Sequence, residues 1–139
     1  MATTTPSPNV QVIRDLYDAF RSGDLRKASA LSDAQVRWEI APGFPRGGTY
    51  VGLEAVIKNF FGRVLQDFEQ WRTVPETFLD AGDDVVTLGY YSCRAKATGK
   101  EMTSGFAHIW SVQESKVTRL RQYADTIQFA RALEPAPVA

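Results

Sequence analysis

Cysteine and histidine are almost missing from this chain: Cys93 and His108 are the only two in 139 residues. One thiol excludes an internal disulfide, and one thiol with one imidazole is too few for a dedicated zinc or transition-metal site. Net charge is missing as well. Sixteen Lys and Arg balance sixteen Asp and Glu, so no basic field exists to hold nucleic acid or an anionic membrane. No apolar run approaches the roughly 18 residues of a membrane span. The opening MATTTPSPNV lacks the basic-then-apolar order of a signal peptide. The expectation is a cytoplasmic protein without metal, cofactor, nucleic acid or membrane partner.

What is present is an ordinary globular composition, 44% hydrophobic and 23% charged, on a length that suits one domain with a real core. Ser7-Pro8 offers a helix start, Ile13, Leu16, Tyr17 and Phe20 follow at helical spacing, and Gly23 supplies a stop. Asp24 can cap a second short helix carrying Leu25, Ala28 and Leu31. AQVRWEIA (34–41) alternates like a strand, and PGFPRGGTYVG (42–52) reads as a loop over an opening, with spacing that fits no phosphate-binding motif. Leu53, Val56, Ile57, Phe60, Phe61, Val64, Leu65 and Phe68 then form the widest apolar stripe in the chain.

From residue 71 the period changes to two. Strands are predicted near 71–80, 84–97, 101–113 and 116–125, and a short helix over 127–133, with both chain ends frayed outside about 9–133. Helices followed by antiparallel strands make an α+β domain spanning 1–139, a curved sheet closed into a cone by helices on its concave face, in the manner of a cystatin-like α+β barrel.

The blocks IRDLYDAFRSGDL, WEIAPG, GTYVGLEAVIKNFF, ATGKE, FAHIW and RLRQYADT, in this order, resemble the SnoaL-like, ketosteroid-isomerase-related branch of the nuclear transport factor 2-like superfamily. The resemblance runs from about residue 9 to 133. It implies a cone-shaped fold, a homodimer, and a pocket used for cofactor-independent proton transfer on a small hydrophobic carbonyl compound (isomerase, cyclase or dehydratase chemistry). Alternatively the fold serves only as a binding or dimeric interaction module. Two specific activities do not carry over. Limonene epoxide hydrolases use an Arg-x-Asp pair, where this chain has Arg94-Ala95-Lys96, and the ketosteroid isomerase pattern finds no residue-by-residue match.

The resemblance marks Asp125, in the Y-x-D pattern of the last strand, as a general base; a helix cap is the competing role. Tyr17, on the apolar face of the first helix, is a candidate carbonyl-polarising donor, and His108, the one neutral-pH switch, a candidate partner. Trp38, Tyr50 and Phe61 are candidate ligand contacts from the first half of the chain, and Tyr90, Trp110, Gln122 and Tyr123 from the strands. A two-residue turn at Glu114-Ser115 would set His108 opposite Arg121, on one face with Asp125 but roughly 13 Å away at about 3.3 Å per residue. On the other parity Gln122 becomes the pocket's polar group. The remaining sheet face, carrying Tyr91 or Trp110 according to parity, is the expected dimer surface.

Overall fold

In the computed structural model, which describes residues 7–135, the chain begins with two capped helices. Helix α1 (Pro8–Ser22) is capped by the Ser7 hydroxyl accepting from the Val10 amide and is stopped by Gly23 at φ 74°. In α2 (Leu25–Ala30), Asp24 accepts from the Lys27 amide. Strand β1 (Ser32–Ile40) follows, then a loop, then the four-residue strand β2 (Gly48–Val51) inside the segment read as loop alone. The chain ends expected to fray fall mostly at 1–6 and 136–139, outside the described residues. No described helix is long and apolar enough to cross a membrane.

The predicted long helix is built of α3 (Leu53–Ala55), a π-helical stretch (Val56–Phe61) and α4 (Gly62–Asp67). Widened turns of this kind shift the register of everything after them. Leu53, Val56, Phe60 and Val64 are buried, Ile57 and Phe61 are half-buried, and Leu65 faces solvent. Phe68, expected on the helix, is instead the buried first residue of β3 (Phe68–Ala81).

Strands β3, β4 (Asp84–Ala95), β5 (Glu101–Gln113) and β6 (Lys116–Ala124) run antiparallel, and helix α5 (Ile127–Leu133) ends the fold. One six-stranded sheet results, in the order β2-β1-β6-β5-β4-β3, with β1 parallel to β6. The cone is therefore two strands wider than the four-stranded core read from the alternating half. Register shifts interrupt β1, β3 twice, and the β5–β6 ladder, the irregularities that bend strands and curve a sheet.

One of these shifts corrects the expected pairing. Val112 does face Val117 across the Glu114-Ser115 turn, but the ladder slips between Ser111 and Val112, so His108 stands opposite Gln122 and Arg121 opposite Ile109. The concave face thus carries Met102, Ser104, Phe106, His108, Trp110 and Val112 from β5, all buried, together with Leu120 and Gln122 from β6 and Thr87, Tyr91 and Cys93 from β4. Neither Tyr91 nor Trp110 belongs to the outer face. That face carries Tyr90, Leu79, Leu88 and Tyr123 instead.

Candidate active site

Four elements bring polar groups into the cone. The apolar stripe of α1 turns Tyr17 inward between Phe78 and Trp110. Strict alternation along β5 places His108 two residues from Trp110 on the inner face, and β4 and β6 add Tyr91 and Gln122 from the flanks. His108, Tyr91 and Gln122 retain only 4%, 5% and 2% of their surface. The ring of His108 lies over Phe106 at 3.9 Å between centroids, nearly parallel.

These groups form one continuous chain. Tyr17 Oη lies 2.5 Å from His108 Nδ1, and Tyr91 Oη lies 2.6 Å from His108 Nε2. Trp110 Nε1 donates to the Tyr17 oxygen at 3.0 Å, and Gln122 Nε2 donates to the Tyr91 oxygen at 3.0 Å. The Ala41 backbone N–H donates to Gln122 Oε1 at 3.2 Å, which fixes that amide the right way round.

Counting protons gives the chain a direction. Tyr91 is packed among Phe44, Trp71 and Phe106, and its one remaining acceptor is His108 Nε2. A buried hydroxyl proton left without an acceptor is costly, so Tyr91 donates to Nε2. His108 then carries its proton on Nδ1 and donates to Tyr17. The Tyr17 oxygen now receives two bonds, from Trp110 and His108, and its own proton is left to donate elsewhere. Thr87 Oγ1, across the β4–β5 ladder from His108, stands near that hydroxyl but in no bond of acceptable geometry.

Electrostatics agrees with this assignment. Burial alone drives the His108 imidazole down to about 3, so it is neutral at physiological pH. Burial also holds the Tyr17 and Tyr91 hydroxyls well above the ordinary tyrosine range, against smaller lowering by the nearby Thr87 hydroxyl and the Trp110 N–H at Tyr17 and by the Gln122 amide at Tyr91. All three groups are uncharged. The buried polar and charged residues are Ser32, Thr87, Ser104, His108 and Gln122, so no described carboxylate is buried beside the network.

The fold therefore gathers Tyr17, His108, Trp110 and Gln122, with Trp38 and Phe61 in the adjoining aromatic wall. Tyr50 is half-buried against Phe60, with its hydroxyl on the Arg46 carbonyl. Tyr90 and Tyr123 lie on the outer face. Asp125 is exposed and accepts from the Gln128 side chain at 3.1 Å, while its backbone carbonyl accepts from the Ser104 hydroxyl. It stands apart from the network, and its carboxylate makes no bond to the amides that begin α5, although its backbone carbonyl also accepts from the Gln128 N–H at 3.3 Å.

Sequence reasoning missed Tyr91, because in the Tyr90-Tyr91 pair either residue can face inward. Only the pairing of Thr87 with His108 settles the parity. It also missed Phe44, whose ring plugs the cone against Phe129 and Tyr91 and so anchors the 42–47 loop.

A model of the SnoaL-like domain matches residues 13–120. Among solved structures, a nuclear transport factor 2-like protein of Burkholderia thailandensis is 30% identical and superposes with a TM-score of 0.87 over 94% of this chain and 100% of its own. One from Burkholderia pseudomallei is 29% identical, with a TM-score of 0.82 over 92% and 98%. TerC, co-crystallised with polyporic acid, is 30% identical, with a TM-score of 0.81 over 91% and 98%. No curated protein matches the chain. With the family's model spanning most of its length and its sheet and helices superposing on those neighbours, the chain belongs to the SnoaL-like domain family of the nuclear transport factor 2-like superfamily.

Proposed function

We propose that this protein is a cofactor-independent proton-transfer enzyme acting on a small hydrophobic carbonyl compound, with Tyr17 as the group that meets the carbonyl oxygen. The observation that carries this reading is the directed chain Gln122–Tyr91–His108–Tyr17. Two incoming hydrogen bonds polarise the Tyr17 hydroxyl, and its proton is free to point at a ligand. A donor preorganised in an aromatic, water-poor setting stabilises an enol or enolate far better than water does. As negative charge grows on the substrate oxygen, Tyr17 stabilises it by donating its hydrogen bond and keeps its proton; His108 and Tyr91 keep theirs as well, because burial holds both tyrosine hydroxyls well above the ordinary range. The α-proton, acidified by this bond, passes to a water molecule at the rim formed by the partly buried Tyr17, Phe20, Phe61 and Phe78, and a proton from solvent returns to the carbon to restore the ketone. TerC's co-crystallisation with polyporic acid supports a small organic ligand for a cone of this kind.

Exchange of the α-hydrogens of 2-tetralone in D2O, followed by proton NMR, tests the reading. The protein should accelerate exchange with saturation, and Tyr17→Phe should reduce the rate by roughly 100- to 1000-fold while the ketone still binds. Equal exchange by Tyr17→Phe would overturn it.

A second reading, a binding module without turnover, is favoured by one observation. His108, Tyr91 and Gln122 are already satisfied by one another, as a purely structural network would be. Saturable binding without any accelerated exchange would decide for it.

A further inference from the structure

Among the described residues, three buried side-chain nitrogen or oxygen atoms lack a hydrogen-bond partner: Trp38 Nε1, Thr87 Oγ1 and Arg121 Nε. Two of them are donors only, and Arg121 reaches Asp84 with another nitrogen at 3.7 Å. Thr87 Oγ1 alone can accept. The residue is 0% exposed, and valine would fill the same space in a strand without leaving a hydroxyl unsatisfied.

The strand register shows what that oxygen faces. Thr87 stands directly opposite Phe78 on β3 and His108 on β5, and side chains so paired lie about 4.5–5.5 Å apart at Cβ. The Tyr17 ring packs on both of these neighbours, edge-on to Phe78 at 5.8 Å and parallel to His108 at 5.9 Å between centroids. Tyr17 therefore lies over the position that Thr87 occupies. Its oxygen receives bonds from Trp110 and His108 and keeps one unspent proton. A spare donor and a spare acceptor, both buried, are thus neighbours. Burial raises the Tyr17 hydroxyl, and Thr87 opposes that rise more than Trp110 does, as a hydroxyl within reach would. A small turn of either side chain closes the bond, because nothing polar holds Thr87 Oγ1 elsewhere.

We infer that Thr87 Oγ1 holds the Tyr17 proton while no ligand is bound, and that a ligand carbonyl takes the proton over by displacing this bond. The inference rests on the proposed role of Tyr17 and adds how its hydroxyl is kept ready. Thr87 is a positioning residue, since it acts through Tyr17. With Tyr17 donating to Thr87, the Tyr17 oxygen stays open to the His108 N–H. The chain Gln122–Tyr91–His108–Tyr17 then keeps one direction before and after a ligand arrives. The resting bond also lowers ligand affinity, because only molecules with a released proton are competent to bind.

Thr87→Val removes the competing acceptor at constant shape. In titrations with 2-tetralone this variant should bind the ketone roughly three- to tenfold more tightly than the wild type. In D2O exchange its KM should fall by the same factor with kcat unchanged. Thr87→Ser, which keeps the hydroxyl, should bind like the wild type. In a Tyr17→Phe background, where there is no proton to hold, Thr87→Val should change nothing. The titration decides the inference even for a protein that binds without turnover. Weaker or unchanged binding by Thr87→Val, or a tightening that persists in Tyr17→Phe, would overturn it and leave Thr87 a packing residue. Exchange that still depends on Tyr17 would in that case keep the proposed function standing. A wild type that neither binds nor exchanges 2-tetralone would overturn both.

Discussion

A neutral imidazole held between two tyrosine hydroxyls ties stability to pH with a definite sign. The folded His108 is depressed to about 3 from an ordinary value of 6.5, so between those values the unfolded chain binds a proton that the folded chain refuses. Its stabilising contribution is complete above about pH 6.5 and is lost as pH falls, at up to ~1.4 kcal/mol per unit. Denaturant melts of the wild type should weaken with that slope between pH 6 and 4. His108→Gln can bridge the same hydroxyls without titrating, and its slope should be smaller by the same amount. Identical slopes would show that His108 is not the group responsible. Much of this site was legible in sequence: Tyr17 stood on the apolar face of its helix, and His108 and Trp110 shared a strand face. Gln122 was one of two options left by an unresolved parity. Tyr91 was not legible, since adjacent tyrosines carry no sign of which one faces inward. The free N–H of Trp38 is a property of three-dimensional surroundings that no local pattern encodes.

At the scale of elements, the curvature that makes a cone depends on places where strands are irregular. Gly89 sits in mid-strand, where glycine is ordinarily a weakness. Here a Cβ on it would lie 2.1 Å from the Val74 carbonyl oxygen and 2.8 Å from the Phe106 ring, beside the shift between Pro75 and Thr77. The missing side chain lets β3 close onto β4 and lets Phe106 pack beneath His108. Gly89→Ala should therefore cost about 3 kcal/mol or more in urea melts, and it should perturb the indole resonance of Trp110. A cost below ~1 kcal/mol would mean that the strands can separate there without strain. Helix starts and stops were readable because caps are local chemistry, with Ser7, Gly23 and Asp24 each marking an end. The β5–β6 slip was not readable. A single-residue irregularity reverses which side chains face inward while leaving the alternating pattern on either side intact.

At the scale of the whole molecule, one sheet face has no layer over it among the described residues. Helices cover the concave side, while the outer side of β3, β4 and β5 presents the exposed Leu79 and Leu88 beside the half-buried Val86, Tyr90 and Ile109. Tyr123 extends this apolar surface on β6, opposite Ala107. Charged pairs border it: Arg119 binds Glu39 through two nitrogens, and Arg121 approaches Asp84 at 3.7 Å. An apolar centre with a paired polar rim is the anatomy of a protein interface. We propose that a second copy of this chain occupies it, because a two-fold axis over the patch would bring the same residues from both copies together and leave the charged pairs at the margin. Sedimentation at micromolar concentration should then show a dimer. Leu88→Glu, which places a carboxylate at the centre of the patch without entering the cone, should give a folded monomer with an unchanged Trp38 indole resonance. Since Leu88 points away from His108, tetralone exchange should survive in that monomer. A wild-type protein that stays monomeric at those concentrations would remove the second copy from this face.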